Sequence, residues 1–239
     1  LGGMPLAVEL AASWTDVLSP ARIAAQVRSD WELLRRDDAS GRRPAVDLTA
    51  LLAEVWQRLD GEDRVGWSAL ALAPASLDVE LAVAMVPRGW TGLRRLIDHG
   101  VLRPDGERVR MHPLMARFAR ERALTGDDAF ARFQAPFVER LAREELRGPL
   151  IHRHPHPDDV DAARAAFGRA LDRHDHEAVA AMAHGLGHAL NISTRYAERR
   201  RLFDDVAARL GGPDPDGDPA RSRALARALA HGPLRPDAG

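Results

Sequence analysis

Residues 91–124, TGLRRLIDHGVLRPDGERVRMHPLMARFARERAL, change periodicity twice within a short span. Leu93, Leu96 and Ile97 share one helical face. Gly100 then ends that helix, in the left-handed conformation that glycine adopts without steric cost. Val101 and Leu102 lead into Pro104-Asp105-Gly106, and Val109 and Met111 lead out. Two short strands around an Asp-Gly turn make a β-hairpin. Pro113 stands where a new helix can begin, because its missing N–H is an orphan of the first turn anyway. Leu114, Met115, Phe118 and Ala119 give that helix an apolar face, and His112 falls at the strand-to-helix junction.

Upstream of this stretch three more helices are expected. Asp47 to Leu59 carries Leu48, Leu51, Leu52, Val55 and Leu59 at helical spacing. Glu62 to Leu72 carries Val65, Trp67, Leu70 and Leu72 and is broken by Pro74. Asp78 opens a third run, Val79 to Val86, ended by Pro87. Helices followed by helix, hairpin and helix give a winged-helix unit over residues 44–124.

The first 43 residues read as a small helical subdomain. Pro5 starts one helix, continued by Leu6, Val8, Leu10 and Ala11, and Ser19-Pro20 starts a second with Ile23, Ala24 and Val27. Trp31, Leu33 and Leu34 form an apolar cluster, and Arg35 to Pro44 reads as an exposed connection. Gly3-Met4-Pro5-Leu6, followed by Ala7-Val8-Glu9-Leu10-Ala11-Ala12 and later by Leu18-Ser19-Pro20, resembles the helical lid that ends the nucleotide-binding module of STAND-type regulatory NTPases. That group includes the NB-ARC branch and large bacterial transcriptional regulators. The resemblance implies that Gly3 and Pro5 belong to a Gly-x-Pro signature whose proline packs on the adenine of a bound nucleotide.

Met111-His112-Pro113-Leu114 occupies the place of the Met-His-Asp-Leu motif of the same family. There the histidine contacts the β-phosphate of ADP in the closed state, so the resemblance implies that role for His112. A histidine at a helix N-terminus also adds a donor beside amides that already favour anions. Pro113 replaces the family's aspartate and removes whatever that carboxylate does. A purely structural role for His112 is the competing reading. The winged helix itself is a second alternative, as a DNA reader. However, the run Val79 to Val86 is apolar with one acid, and Asp98, Asp105 and Glu107 interleave with Arg94, Arg95, Arg103, Arg108 and Arg110.

Residues 125–157 read as a helical linker. Phe130, Phe133, Phe137, Val138 and Leu141 lie along one amphipathic helix, expected to be interrupted or kinked near Pro136. His152, His154 and His156 alternate, a pattern that suits zinc or nickel on an extended chain but equally a polar linker, and no metal site is expected. Residues 158–239 read as helix pairs: Val160 to Leu171, Glu177 to Leu190, Tyr196 to Leu210 and Ala220 to Ala230. Pairs recurring at about forty residues fall within the range of helical-repeat arrays, and Thr194-Arg195-Tyr196-Ala197-Glu198 followed by Leu202 resembles a tetratricopeptide opening. His184 and His188 are four apart, yet Gly185 and Gly187 point to tight helix packing there.

Composition narrows the chemistry. The chain has 239 residues, net charge −1, and no cysteine, so disulfide frameworks and thiolate sites are absent. Every one of the 34 basic residues is arginine. A Walker-A loop and Schiff-base chemistry both need lysine, and neither can be housed here. No Gly-x-Ser-x-Gly elbow occurs, and the Asp-Asp pairs sit where acids cap helices. No apolar run approaches the roughly 20 residues that span a bilayer. Leu1-Gly2-Gly3 reads as a cut inside a longer protein.

The expectation is therefore a mainly α chain: a helical subdomain, a winged helix with a small β-hairpin, then tetratricopeptide-like repeats. Catalysis by this chain alone is not expected. As a cytoplasmic regulatory segment it would contact ADP or ATP, with Mg, only in an intact protein that supplies an upstream NTPase domain. Gly3, Pro5 and His112 would take part in that contact, and an effector or protein partner would dock on the repeats. DNA would be reached only through an output domain outside this chain. A helical-repeat interaction scaffold without nucleotide contact is the alternative.

Overall fold

The computed structural model describes residues 5–29, 34–36, 46–123, 127–143, 155–212, 214 and 217–231. Among them the chain is mainly α-helical, with twelve helices, a three-stranded antiparallel sheet and a two-residue ladder. Helices α1 (Pro5–Ala12) and α2 (Pro20–Ser29) open the chain and bury Ala7, Leu10, Ala11, Ile23 and Val27. The Ser19 hydroxyl accepts the Arg22 N–H at 3.3 Å, the cap its sequence position called for. The expected open connection is partly structured: β1 (Arg35–Arg36) pairs antiparallel with β2 (Val46–Asp47). Trp31, Leu33 and residues 37–45 lie outside the described residues.

Capping aspartates start the next helices. Asp47 accepts from the N–H groups of Thr49 and Ala50 at the head of α3 (Leu48–Arg58), and Asp60 accepts from Asp63 at the head of α4 (Gly61–Leu70). Of the apolar positions expected on α3, Leu48 and Leu52 are buried while Leu51 is exposed. Strand β3 (Leu77–Asp78) follows, and Asp78 caps α5 (Val79–Met85) through Glu80 and Leu81. Then come α6 (Gly89–Asp98), β4 (Leu102–Asp105), β5 (Arg108–Met111) and α7 (Pro113–Ala123).

Gly100 has φ +72°, as the end of α6 requires. In the hairpin Asp105 opposes Arg108, so the turn is Gly106-Glu107, and Asp105 belongs to the strand. Gly106 at φ +62° occupies the first loop position, where a type II′ turn takes glycine. Strand β3 pairs with β5 to give the order β3-β5-β4, a pairing that two residues of sequence did not announce. With it the winged-helix unit is complete. The helix feeding the hairpin is α6, whereas the apolar run weighed for DNA reading is α5, whose Leu81, Ala82 and Met85 are buried. The core of this unit centres on Trp67, fully buried 5.3 Å from the ring of Trp56 and 5.8 Å from that of Phe118.

Helix α8 (Asp127–Ala142) runs on through Pro136 without the expected interruption. It packs against α4 and α5 of the winged-helix unit and against α10 of the repeats, burying Phe133, Phe137 and Leu141. The segment expected as a linker is thus a shared wall. Helices α9 (Pro157–Asp172), α10 (His176–Ile192), α11 (Tyr196–Leu210) and α12 (Pro219–His231) form the repeat half. Alanines and Phe167 line their contacts, and Gly185 lets the end of α8 approach: a Cβ there would sit 2.2 Å from the Leu141 carbonyl oxygen. Among the described residues no helix is long and apolar enough to cross a membrane.

Candidate functional site: the junction of hairpin and repeat

Of the three residues the sequence singled out, Gly3 lies outside the described residues. Pro5 stands exposed at the first turn of α1. His112 sits, half-buried, immediately before α7, where its Nδ1 accepts the Leu114 N–H at 3.2 Å and its carbonyl accepts from Ala116 at 2.9 Å. It is the side-chain cap of that helix. With Nδ1 accepting, the neutral imidazole carries its proton on Nε2, which makes Nε2 the donor of the ring. Helices α7 and α2 are joined through Arg117, whose Nη1 donates to the Val27 carbonyl at 2.6 Å. This bond links the helical subdomain to the helix that His112 caps.

At the opposite end of β5 lies a site that sequence reasoning passed over. Arg108, the first residue of β5, forms two parallel hydrogen bonds to the Asp159 carboxylate, Nη1 to Oδ2 at 2.9 Å and Nη2 to Oδ1 at 2.8 Å. Its Nε donates to the Ser76 hydroxyl at 2.9 Å and its Nη2 to the Ser76 carbonyl at 3.1 Å. Asp158 accepts from both the N–H and the hydroxyl of Ser76, and the Asp78 N–H reaches Asp159 at 3.3 Å. The three-stranded sheet is thus fastened to the first turn of α9. Side chains of Arg108 and Asp159 are 16% and 10% exposed, so the pair is largely shielded from solvent and from salt. Burial works against the charge on Arg108, but the bonds and field of Asp159 outweigh it and hold the guanidinium above its ordinary range. Burial likewise opposes the Asp158 carboxylate, and the Ser76 bonds override it and lower its pKa.

From sequence, Asp158 and Asp159 read as local helix caps and Arg108 as one of several wing arginines. The cap belongs instead to His156, whose Nδ1 accepts the Asp158 N–H at 3.2 Å. Once a histidine holds the cap position, the two acids behind it are available for tertiary contacts. That is the one local signal that the pair had another role. His152 and His154 lie outside the described residues, and no group of three or more histidines or acids able to hold a metal occurs among the described ones. His184 pairs with His231, Nδ1 to Nε2 at 3.2 Å.

Three further arginines of the wing and of α6 form ion pairs. Arg94 binds Asp98 at 3.0 Å, Arg95 binds Asp63 at 2.7 Å, and Arg110 binds Asp105 at 3.0 Å. Searches against protein-family models, curated proteins and solved structures find no match to this chain.

Proposed function

We propose that this chain is the regulatory segment of a STAND-type, ATP/ADP-switched transcriptional regulator, coupling nucleotide state to partner sensing on the helical repeats. The observation that supports it most is the span of one strand. Residue 112, the expected phosphate contact, and Arg108, the fastening to the repeat, bracket β5 and lie about 13 Å apart along an extended backbone. A strand paired on both sides moves as a unit, so a shift at His112 is carried to the head of α9. His112 Nε2 is buried in this structure, so a phosphate oxygen would reach it only after the head of α7 opens, whereas Pro5, exposed on the subdomain bonded to α7, suits the base. ADP or ATP, with Mg, would be held chiefly by an upstream NTPase domain that supplies the lysine this chain lacks. The chain contributes no catalysis of its own, works in the cytoplasm, and reaches DNA only through an output domain elsewhere in the protein. Differential affinity of nucleotide for two states is what such a switch requires.

A second reading, an interaction scaffold without nucleotide contact, is favoured by the capping bond of His112, which is a sufficient structural use for the ring. Calorimetry separates the two. The protein extended upstream by about 250 residues, the size of an NTPase domain, should bind ADP. His112→Ala should weaken that binding about tenfold, as loss of one charge-assisted hydrogen bond does. Absence of ADP binding by the folded longer protein supports the scaffold.

A further inference from the structure

Helices α8, α10 and α12 line an open, largely polar cleft of about 450 Å³. Arg223 and Arg227, one turn apart on α12, face it together with Glu177, Ala180 and His184 of α10, and Leu141 of α8 adds an apolar wall. Arg223 is engaged by Glu177. Arg227 forms no ion pair among the described residues; its Nη1 donates to the main-chain carbonyl of Ala180, which leaves the rest of its donor fork directed elsewhere. Next to the cleft, His184 bonds His231, whose ring stacks on Phe203 at 5.3 Å. Burial first, and then His184, Arg199 and His188, hold the His231 pKa below its ordinary value. The charges that add to burial there, Arg199 among them, are positive.

We propose that this cleft binds the oxyanion group of a small ligand, phosphate or carboxylate, with Arg227 as its cation, His184 as a hydrogen-bond donor, and Leu141 and Ala180 against the ligand's apolar part. An arginine fork suits both anions because each presents two oxygens in one plane. Glu177 sets the selectivity: it occupies Arg223 and repels a weakly held anion, so only a ligand that also gains apolar contact or a second hydrogen bond displaces it. Bound there, the ligand bridges α12 to α8, the helix shared with the winged-helix unit. The inference needs no nucleotide contact, and its test reads none.

The experiment titrates the chain with inorganic phosphate, with succinate and with sodium chloride at matched ionic strength, following the His184 imidazole signals by NMR. Saturable shifts with phosphate or succinate but not chloride are expected; phosphate alone marks a phosphate ligand, succinate alone a carboxylate. Arg227→Gln should weaken binding about tenfold, and Glu177→Gln should tighten it several-fold by releasing Arg223. Shifts that never saturate, or that chloride reproduces, overturn the proposal. So does a folded Arg227→Gln protein that binds as the wild type does. Should Arg227→Gln fail to fold, the Glu177→Gln titration decides, and an unchanged affinity there overturns it.

Discussion

Arg108 and Asp159, 51 residues apart in sequence, meet through two parallel hydrogen bonds of 2.9 and 2.8 Å that fasten the hairpin to the first repeat helix. Removing one partner leaves the other charged and shielded from water. Arg108→Ala should therefore destabilise the chain by about 3 kcal/mol, measured by urea unfolding. Arg108→Lys should recover only part of this, because an ammonium cannot make the side-on pair. Combined with Asp159→Asn in a double-mutant cycle, the two changes should cost clearly less than their sum. Additive effects would mean that the pair is not a unit.

Two glycines in neighbouring helices should respond oppositely to alanine. At Gly185 an added Cβ would lie 2.2 Å from the Leu141 main-chain oxygen, so Gly185→Ala must push α8 from α10, at a cost of about 2–3 kcal/mol. At Gly168, inside α9, nothing lies within 4 Å of the added carbon, and Gly168→Ala should stabilise by about 1 kcal/mol through helix propensity. Thermal unfolding of both variants checks the pairing of effects.

Docking of α12 should weaken in acid. Burial, aided by His184, Arg199 and His188, lowers the folded-state pKa of His231 below the ordinary 6.5. The neutral ring is therefore the form the fold prefers. Its contribution is fully present above about pH 6.5 and is lost as pH falls through the lower, folded-state value. Amide exchange in α12 should accelerate on acidification from pH 7.5 to 5.5, and His231→Gln should flatten that dependence. An equally steep dependence in the variant would assign the effect to another group.

The chain should not bind duplex DNA with the salt dependence of a groove reader. Helix α6 stands where a recognition helix would, and its Arg94 and Arg95 are paired with Asp98, Asp63 and Asp60. With acids beside most of these arginines, fewer phosphates are neutralised and a shallow salt dependence is expected. A steep fall of affinity with salt in fluorescence anisotropy would restore the DNA-reading alternative.

Helix existence was legible because its signals are local. Asp47 and Asp78 cap α3 and α5, Gly100 ends α6, and Pro113 starts α7, each through bonds or torsions within one turn, whereas the Asp60 cap of α4 was passed over. Close packing at Gly185 and Gly187 was also readable, since small residues amid an apolar run signal an approaching backbone. Strand β3 was not, because Leu77 and Asp78 become a strand only by pairing with Val109 and Arg108. The junction was missed for the same reason. The only local hint near Asp159 was His156 in the cap position; the partner itself, Arg108, is brought to Asp159 only by the folded sheet. The helix that feeds the hairpin, α6, was legible from Leu93, Leu96, Ile97 and the terminating Gly100.

The claim that ties these observations together is that nucleotide state at His112 reaches the repeat through β5 and Arg108. Hydrogen exchange at the first turn of α9, in the protein extended upstream to include its NTPase domain, measures this with and without ADP. ADP should change exchange at residues 158–161 in the wild type, and Arg108→Ala should abolish that change while leaving ADP affinity within about twofold. Exchange at α9 that is indifferent to ADP in a protein that binds it, or a response that survives Arg108→Ala, would contradict the coupling.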